Sequence, residues 1–172
     1  MKRIMAFALA VILLTSFCGC AVKDDKEGKW MAFYYCRGDM SSHVPSSVLT
    51  REMRQIPEGQ TDPEKILELY LQGPRMQELK NVFPPNCRLV SLTVEEEMTE
   101  VCLSREIGQL EGMDLTIACA RLAKTLMEFN GTQTLRIRGQ NMVLAGQEYI
   151  EMRYGDLIMD DKSAVTTEPT EP

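Results

Sequence analysis

Residues 113–139 read MDLTIACARLAKTLMEFNGTQTLRIRG. Leu115, Ala118, Cys119, Leu122, Leu126 and Phe129 recur every three or four positions, so they form one apolar stripe along a helix over residues 113–130. Asn130-Gly131 supplies the residue types that end a helix with a left-handed turn. Leu135-Arg136-Ile137-Arg138 then alternates with the period of a half-buried strand, and Gly139 closes it. A striped helix joined by a tight turn to an alternating strand buries both apolar faces when the helix packs on a sheet.

Upstream lies a hairpin. Val90, Leu92 and Val94 alternate with Ser91 and Thr93; Val101 and Leu103 alternate with Glu100, Cys102 and Ser104. The turn falls near Glu95-Glu96-Glu97, which lacks the Asn-Gly or Asp-Gly of a tight two-residue turn, so a looser turn is expected. With Glu96 and Glu97 in the turn, Leu92 faces Val101 and Val90 faces Leu103. Pro84-Pro85-Asn86 forms a rigid lead-in. Thr61-Asp62-Pro63-Glu64 starts an earlier helix: Thr61 or Asp62 can cap, Pro63 suits the first helical position, and Glu64 favours the positive end of the dipole. Ile66, Leu67, Tyr70 and Leu71 follow at helical spacing, and Gly73-Pro74 stops the helix. Residues 46–56 suit a short extended piece or a turn of helix equally, and residues 37–45 form a polar loop. KWMAFYYC, residues 29–36, is aromatic-rich and reads as the first strand. The order βαββαβ predicts an α+β two-layer sandwich, a mixed β-sheet with two helices on one face.

The ends are of a different character. Met1-Lys2-Arg3 is a short positive segment, and residues 4–14 are an apolar run of about 11 residues, the length of a signal-peptide core and too short to span a bilayer. Cys20 follows Gly19 directly, as a lipoprotein cleavage site requires, and its thiol is the expected acceptor of the diacylglycerol. Phe17 stands where such sites usually carry Leu, and a plain secretory signal is the alternative. The expected division is a signal peptide over 1–19, a lipidated tether over 20–28, one domain over 29–145, an extra strand within 146–159 and a disordered acidic tail over 160–172. The expected location is the outer face of the cytoplasmic membrane, held by lipid.

Composition narrows the chemistry. Removal of Lys2 and Arg3 takes the formal charge from −6 to −8, which argues against nucleic acid as a partner and against electrostatic binding to anionic lipid. There is no CxxC and only one histidine, His43, in a Ser-rich loop, so neither a zinc site nor a nucleophile–base pair has support. Glu95, Glu96, Glu97 and Glu100 form an acidic cluster that reads as a solvated turn. No cofactor, metal site or catalytic residue is expected. Of the aromatic first strand, one half faces the core. The other half, Trp30 and Tyr34, is a candidate partner face on the side of the sheet away from the helices.

The strand order and its joints resemble the GerMN domain of sporulation and spore-germination lipoproteins. The pieces that carry the resemblance run in sequence: AFYYC, LTREMRQI, DPEKILELYLQGP, FPPNCRLVSLTV, EVCLSREI, ARLAKTLMEFNGTQ and LRIRGQ, together about residues 29–142. The family usually places an Asp-Gly-like turn where this chain has Glu96-Glu97. The resemblance implies a non-enzymatic domain outside the membrane, similar to the ring-building modules of sporulation channels, with an envelope or sporulation protein as partner or with self-association. An enzyme acting on the cell wall, or an accessory factor for one, is the alternative, and a ligand-binding lipoprotein ranks below both. In a ferredoxin-like reading of the strand order the first and third strands are parallel neighbours, which would bring Cys36 and Cys102 to one end of the sheet. They are candidates for a disulfide; two unpaired thiols are the alternative.

Overall fold

The computed structural model describes residues 28–37 and 50–157. The proposed signal peptide, Cys20, His43 and the acidic tail lie outside the described residues.

The architecture is α+β, a two-layer arrangement as the sequence predicts, with two sheets behind it. β1 (Lys29–Arg37) pairs antiparallel with β2 (Thr50–Ile56) along its length and with the short β3 (Leu79–Lys80) at its end. β4 (Leu89–Val94), β5 (Met98–Leu103), β6 (Thr134–Gly139) and β7 (Ile150–Arg153) form a second sheet in that order. β4 and β5 are antiparallel, β5 and β6 parallel, β6 and β7 antiparallel, so this sheet is mixed.

Each sheet has one helix between two of its strands. α1 (Pro63–Leu71) starts at Asp62, whose carboxylate accepts from the Glu64 amide at 3.0 Å; Pro63 holds the first helical position. α2 (Gly112–Asn130) ends at Gly131, whose φ of 73° gives the left-handed conformation that terminates a helix. Ile66, Leu67 and Tyr70 of α1 and Leu115, Ala118, Cys119, Leu122 and Leu126 of α2 share one contiguous core with Val101 and Leu103 of β5 and Leu135 and Ile137 of β6.

The hairpin register departs from simple alternation. Leu92 faces Val101 as expected, but Leu103 faces Leu89 rather than Val90. A β-bulge at Val90 inserts one residue into β4, and Val90 is left exposed. The loop spans Glu95 to Glu97 and is closed by the Glu95 amide donating to the Met98 carbonyl at 2.8 Å. The Glu97 carbonyl accepts from the Gln133 and Thr134 amides, which ties this loop to the start of β6.

Candidate functional site

The residues that bear chemistry gather in three places. The first is inside the fold. β2 turns Glu52, Arg54 and Ile56 inward and Arg51, Met53 and Gln55 outward. Glu52 and Arg54 form an ion pair, both almost fully buried. The Arg54 guanidinium lies over the rings of Phe33 and Tyr35 and donates to the Gly73 carbonyl at 2.7 Å and the Leu69 carbonyl at 3.3 Å. It thereby caps the C-terminal end of α1, where free carbonyls favour a cation. Glu52 accepts from the Arg75 and Met76 amides at 2.9 and 3.3 Å. Tyr35 and Tyr70 stack at 5.0 Å; the Tyr35 hydroxyl donates to the Tyr70 carbonyl, and the Tyr70 hydroxyl donates to the Tyr34 carbonyl. Burial raises both phenols above the usual range, so they are neutral donors.

The second place is the side of α2 that meets β1. The Tyr34 amide donates to Thr125 Oγ1 at 3.1 Å. The Tyr34 hydroxyl donates to Glu128 at 2.9 Å; Lys124 pairs with the other oxygen of Glu128 at 2.7 Å and donates to the Tyr154 hydroxyl at 2.6 Å. Burial pulls the Lys124 ammonium down, but its hydrogen bonds to Glu128 and Tyr154 outweigh this and leave its pKa raised. The cluster binds β1, α2 and the turn after β7 together. Tyr34 is therefore not on an open face: it is 7% exposed, whereas Trp30 is 62% exposed. The alternation of β1 fails at Tyr34 because α2 lies along the strand edge that β2 leaves free.

The third place is the outer face of the four-stranded sheet. Thr93, Glu100, Arg136, Arg138, Glu151 and Arg153 stand there, opposite in parity to the buried Val101, Leu135 and Ile137. Arg138 pairs with Glu100 at 3.1 Å, and Glu151 joins Arg136 and Arg153, each at 3.0 Å. Hydrogen bonds from Arg136 and then Arg153 hold the Glu151 carboxyl below its usual range. Tyr149 stacks beside the Arg136 guanidinium at 4.8 Å. Arg138 and Glu100 on this face are 46% and 39% exposed. Beyond the end of β6 a cleft of about 660 Å³ is lined by Arg105, Gly108, Gln109, Gln140, Asn141 and Met142, which offers amides and one guanidinium but no acid–base pair.

The four described cysteines are buried, free thiols. The premise for joining Cys36 to Cys102 does not hold, because β1 and β5 lie in different sheets and the parallel neighbour of β5 is β6. Burial pushes Cys87 up to about 11 and Cys119 up to about 12 and raises Cys36, so these thiols are protonated and weakly nucleophilic at neutral pH. No group of His, Cys, Asp or Glu among the described residues could hold a metal ion.

The Glu52–Arg54 pair escaped the sequence reading. Its signal was present in TREMRQI: charges share the parity of Ile56 while Met53 takes the opposite one. Period-two alternation finds a strand, but it assumes that charge faces water, which is reversed here.

Comparison with known proteins gives a family and a fold. The family Germane, described as sporulation and spore germination, matches residues 32–142. The first GerMN domain of the sporulation protein GerM from Bacillus subtilis is similar in structure, with 14% identity and a TM-score of 0.58 over 74% of this chain and 99% of that one. The tandem GerMN domains of the same protein align with 15% identity and a TM-score of 0.55 over 72% of this chain, which spans 44% of that one. No curated protein sequence matches the chain.

Proposed function

We propose a function from one premise: the chain belongs to the Germane family of sporulation and spore germination. It acts as a lipid-anchored domain outside the cytoplasmic membrane that binds an envelope or sporulation protein and performs no chemistry itself. The observation that carries this reading is the outer face of the four-stranded sheet, where Glu100, Arg136, Arg138, Glu151 and Arg153 stand in an ordered ladder. Charged faces of this kind set partner choice and association rate more than raw affinity. The non-catalytic reading is supported by thiols driven toward the protonated form and phenols raised by burial. The membrane anchor is supported by the sequence around Cys20, and no described helix is long and apolar enough to cross a membrane.

Two experiments test this reading. Reversing Arg136 and Arg138 to Glu breaks their ion pairs with Glu151 and Glu100 and should leave the chain folded, read by circular dichroism, while cross-linking to the envelope partner in cells is lost. Cross-linking that survives the reversal places the interface elsewhere. Incubating the purified chain with peptidoglycan should release no soluble fragments; release would make it a wall-acting enzyme.

A further inference from the structure

The two-stranded part of the first sheet presents an apolar face that the ion-paired ladder does not share. Trp30 lies opposite Gln55 and Met53 opposite Ala32, so Trp30 and Met53 are diagonal neighbours on the outward side. Trp30 is 62% exposed and Met53 48% exposed, with Arg51 exposed one pair further along the same side. A single exposed apolar residue is ordinary on a protein surface. An exposed tryptophan beside an exposed methionine, at one particular end of the molecule, has a more specific meaning.

That end is where the chain enters the domain. Gly28 is seated against the end of β2: a Cβ there would come within 2.5 Å of the Ile56 carbonyl oxygen. Trp30 therefore lies two residues from a fixed point of entry. Cys20 precedes Lys29 by nine residues, a length of chain that reaches at most about 30 Å when fully extended. Tryptophan, with an apolar ring and one N–H donor, partitions to the zone between hydrocarbon and headgroups, and Arg51 beside it suits the lipid phosphates.

We infer that the face carrying Trp30 and Met53 rests on the surface of the bilayer that holds the anchor, with the Trp30 indole at the headgroup level. The inference depends on the proposed lipidation of Cys20. The domain is thereby oriented and not merely tethered, with the β1–β2 end toward the membrane.

Trp30 is the only tryptophan of the chain, so its emission reports this contact alone. The intact lipidated chain is reconstituted into phosphatidylcholine–phosphatidylglycerol vesicles, floated on a density gradient, and its fluorescence is measured with nitroxide-labelled lipid and with aqueous iodide. The expected result is flotation, emission shifted to the blue, quenching by the labelled lipid and protection from iodide. Met53→Glu should leave flotation unchanged and return the emission toward the red. A chain that floats but keeps water-like, iodide-quenched emission overturns the contact and leaves the anchor standing. Protection from both quenchers assigns the face to a second copy of the chain and also overturns the contact. A chain that does not float overturns the anchor and the inference with it.

Discussion

At the scale of single residues, the interior holds a charged pair. Arg54 and Glu52 are each 4% exposed, and each has backbone partners besides the other. Removing one leaves a buried charge without its counter-ion, so Arg54→Ala should cost about 3–5 kcal/mol, read as a drop in the urea midpoint. Replacing both with apolar residues of similar size should cost less than Arg54→Ala alone, because no uncompensated charge remains. Equal losses in the two would mean that capture of the Leu69 and Gly73 carbonyls, not pairing, is what Arg54 supplies. The thiols make a pH prediction. Burial raises Cys87 from 9.0 to about 11 and Cys119 from 9.0 to about 12. Above pH 9 the unfolded chain loses these protons while the native chain keeps them, so the native state binds more protons. Stability is then fully present below about pH 9 and falls as pH rises toward the folded values. Urea melts at about pH 8 and about pH 10 should show this fall, and replacing both cysteines with Ala should reduce it. An unchanged slope in that variant assigns the fall to other groups.

At the scale of elements, α2 is both the best-read and the most under-read part of the chain. Its apolar stripe and its Asn130-Gly131 end were legible because packing on a sheet requires one side at a period of 3.6. Leu122 and Leu126 are fully buried on that stripe, and replacing either with Ala should cost about 2–5 kcal/mol through lost burial and the cavity left behind. Two unchanged melting temperatures would remove the helix from the core. The same helix also buries Arg121, Lys124 and Thr125, because β1 and the turn at Tyr154 cover its other side. Nothing local in the sequence announces that contact: Tyr34 and Thr125 are 91 residues apart. The bulge at Val90 was illegible for a related reason, since alternation in Val90, Leu92 and Val94 is intact and only pairing with β5 reveals the extra residue. β2 is ambiguous between strand and helix in the sequence because its buried side carries Glu52 and Arg54, which cancels the hydrophobic pattern of a half-buried strand. Tyr154→Phe removes the hydroxyl that Lys124 and Glu128 share and should cost about 1 kcal/mol. Protection of the β7 amides from hydrogen exchange should fall more than that of β5; equal loss would mean that the cluster does not hold the C-terminal strand.

At the scale of the whole molecule, the proposed membrane location needs something to hold the chain there. The apolar run over residues 4–14 is about 11 residues, short of the roughly 20 that a spanning helix needs. No described helix is long and apolar enough to cross. With Lys2 and Arg3 removed the formal charge is −8, which anionic headgroups repel, so net charge gives no retention. One indole and one thioether at the surface orient a domain but bury too little apolar area to hold it, whereas paired acyl chains anchor stably at about 0.8 kcal/mol per buried CH₂. The proposed lipid on Cys20 would supply that retention. Cys20→Ala should move the protein from the membrane to the soluble extracytoplasmic fraction, and Cys18→Ala should leave it membrane-bound, since Phe17 rather than a small residue precedes Cys18. Cell fractionation with an antibody to the domain measures both. If the Cys20 variant stays with the membrane while the Cys18 variant is released, the lipid is on Cys18, and the tether that positions Trp30 is two residues longer.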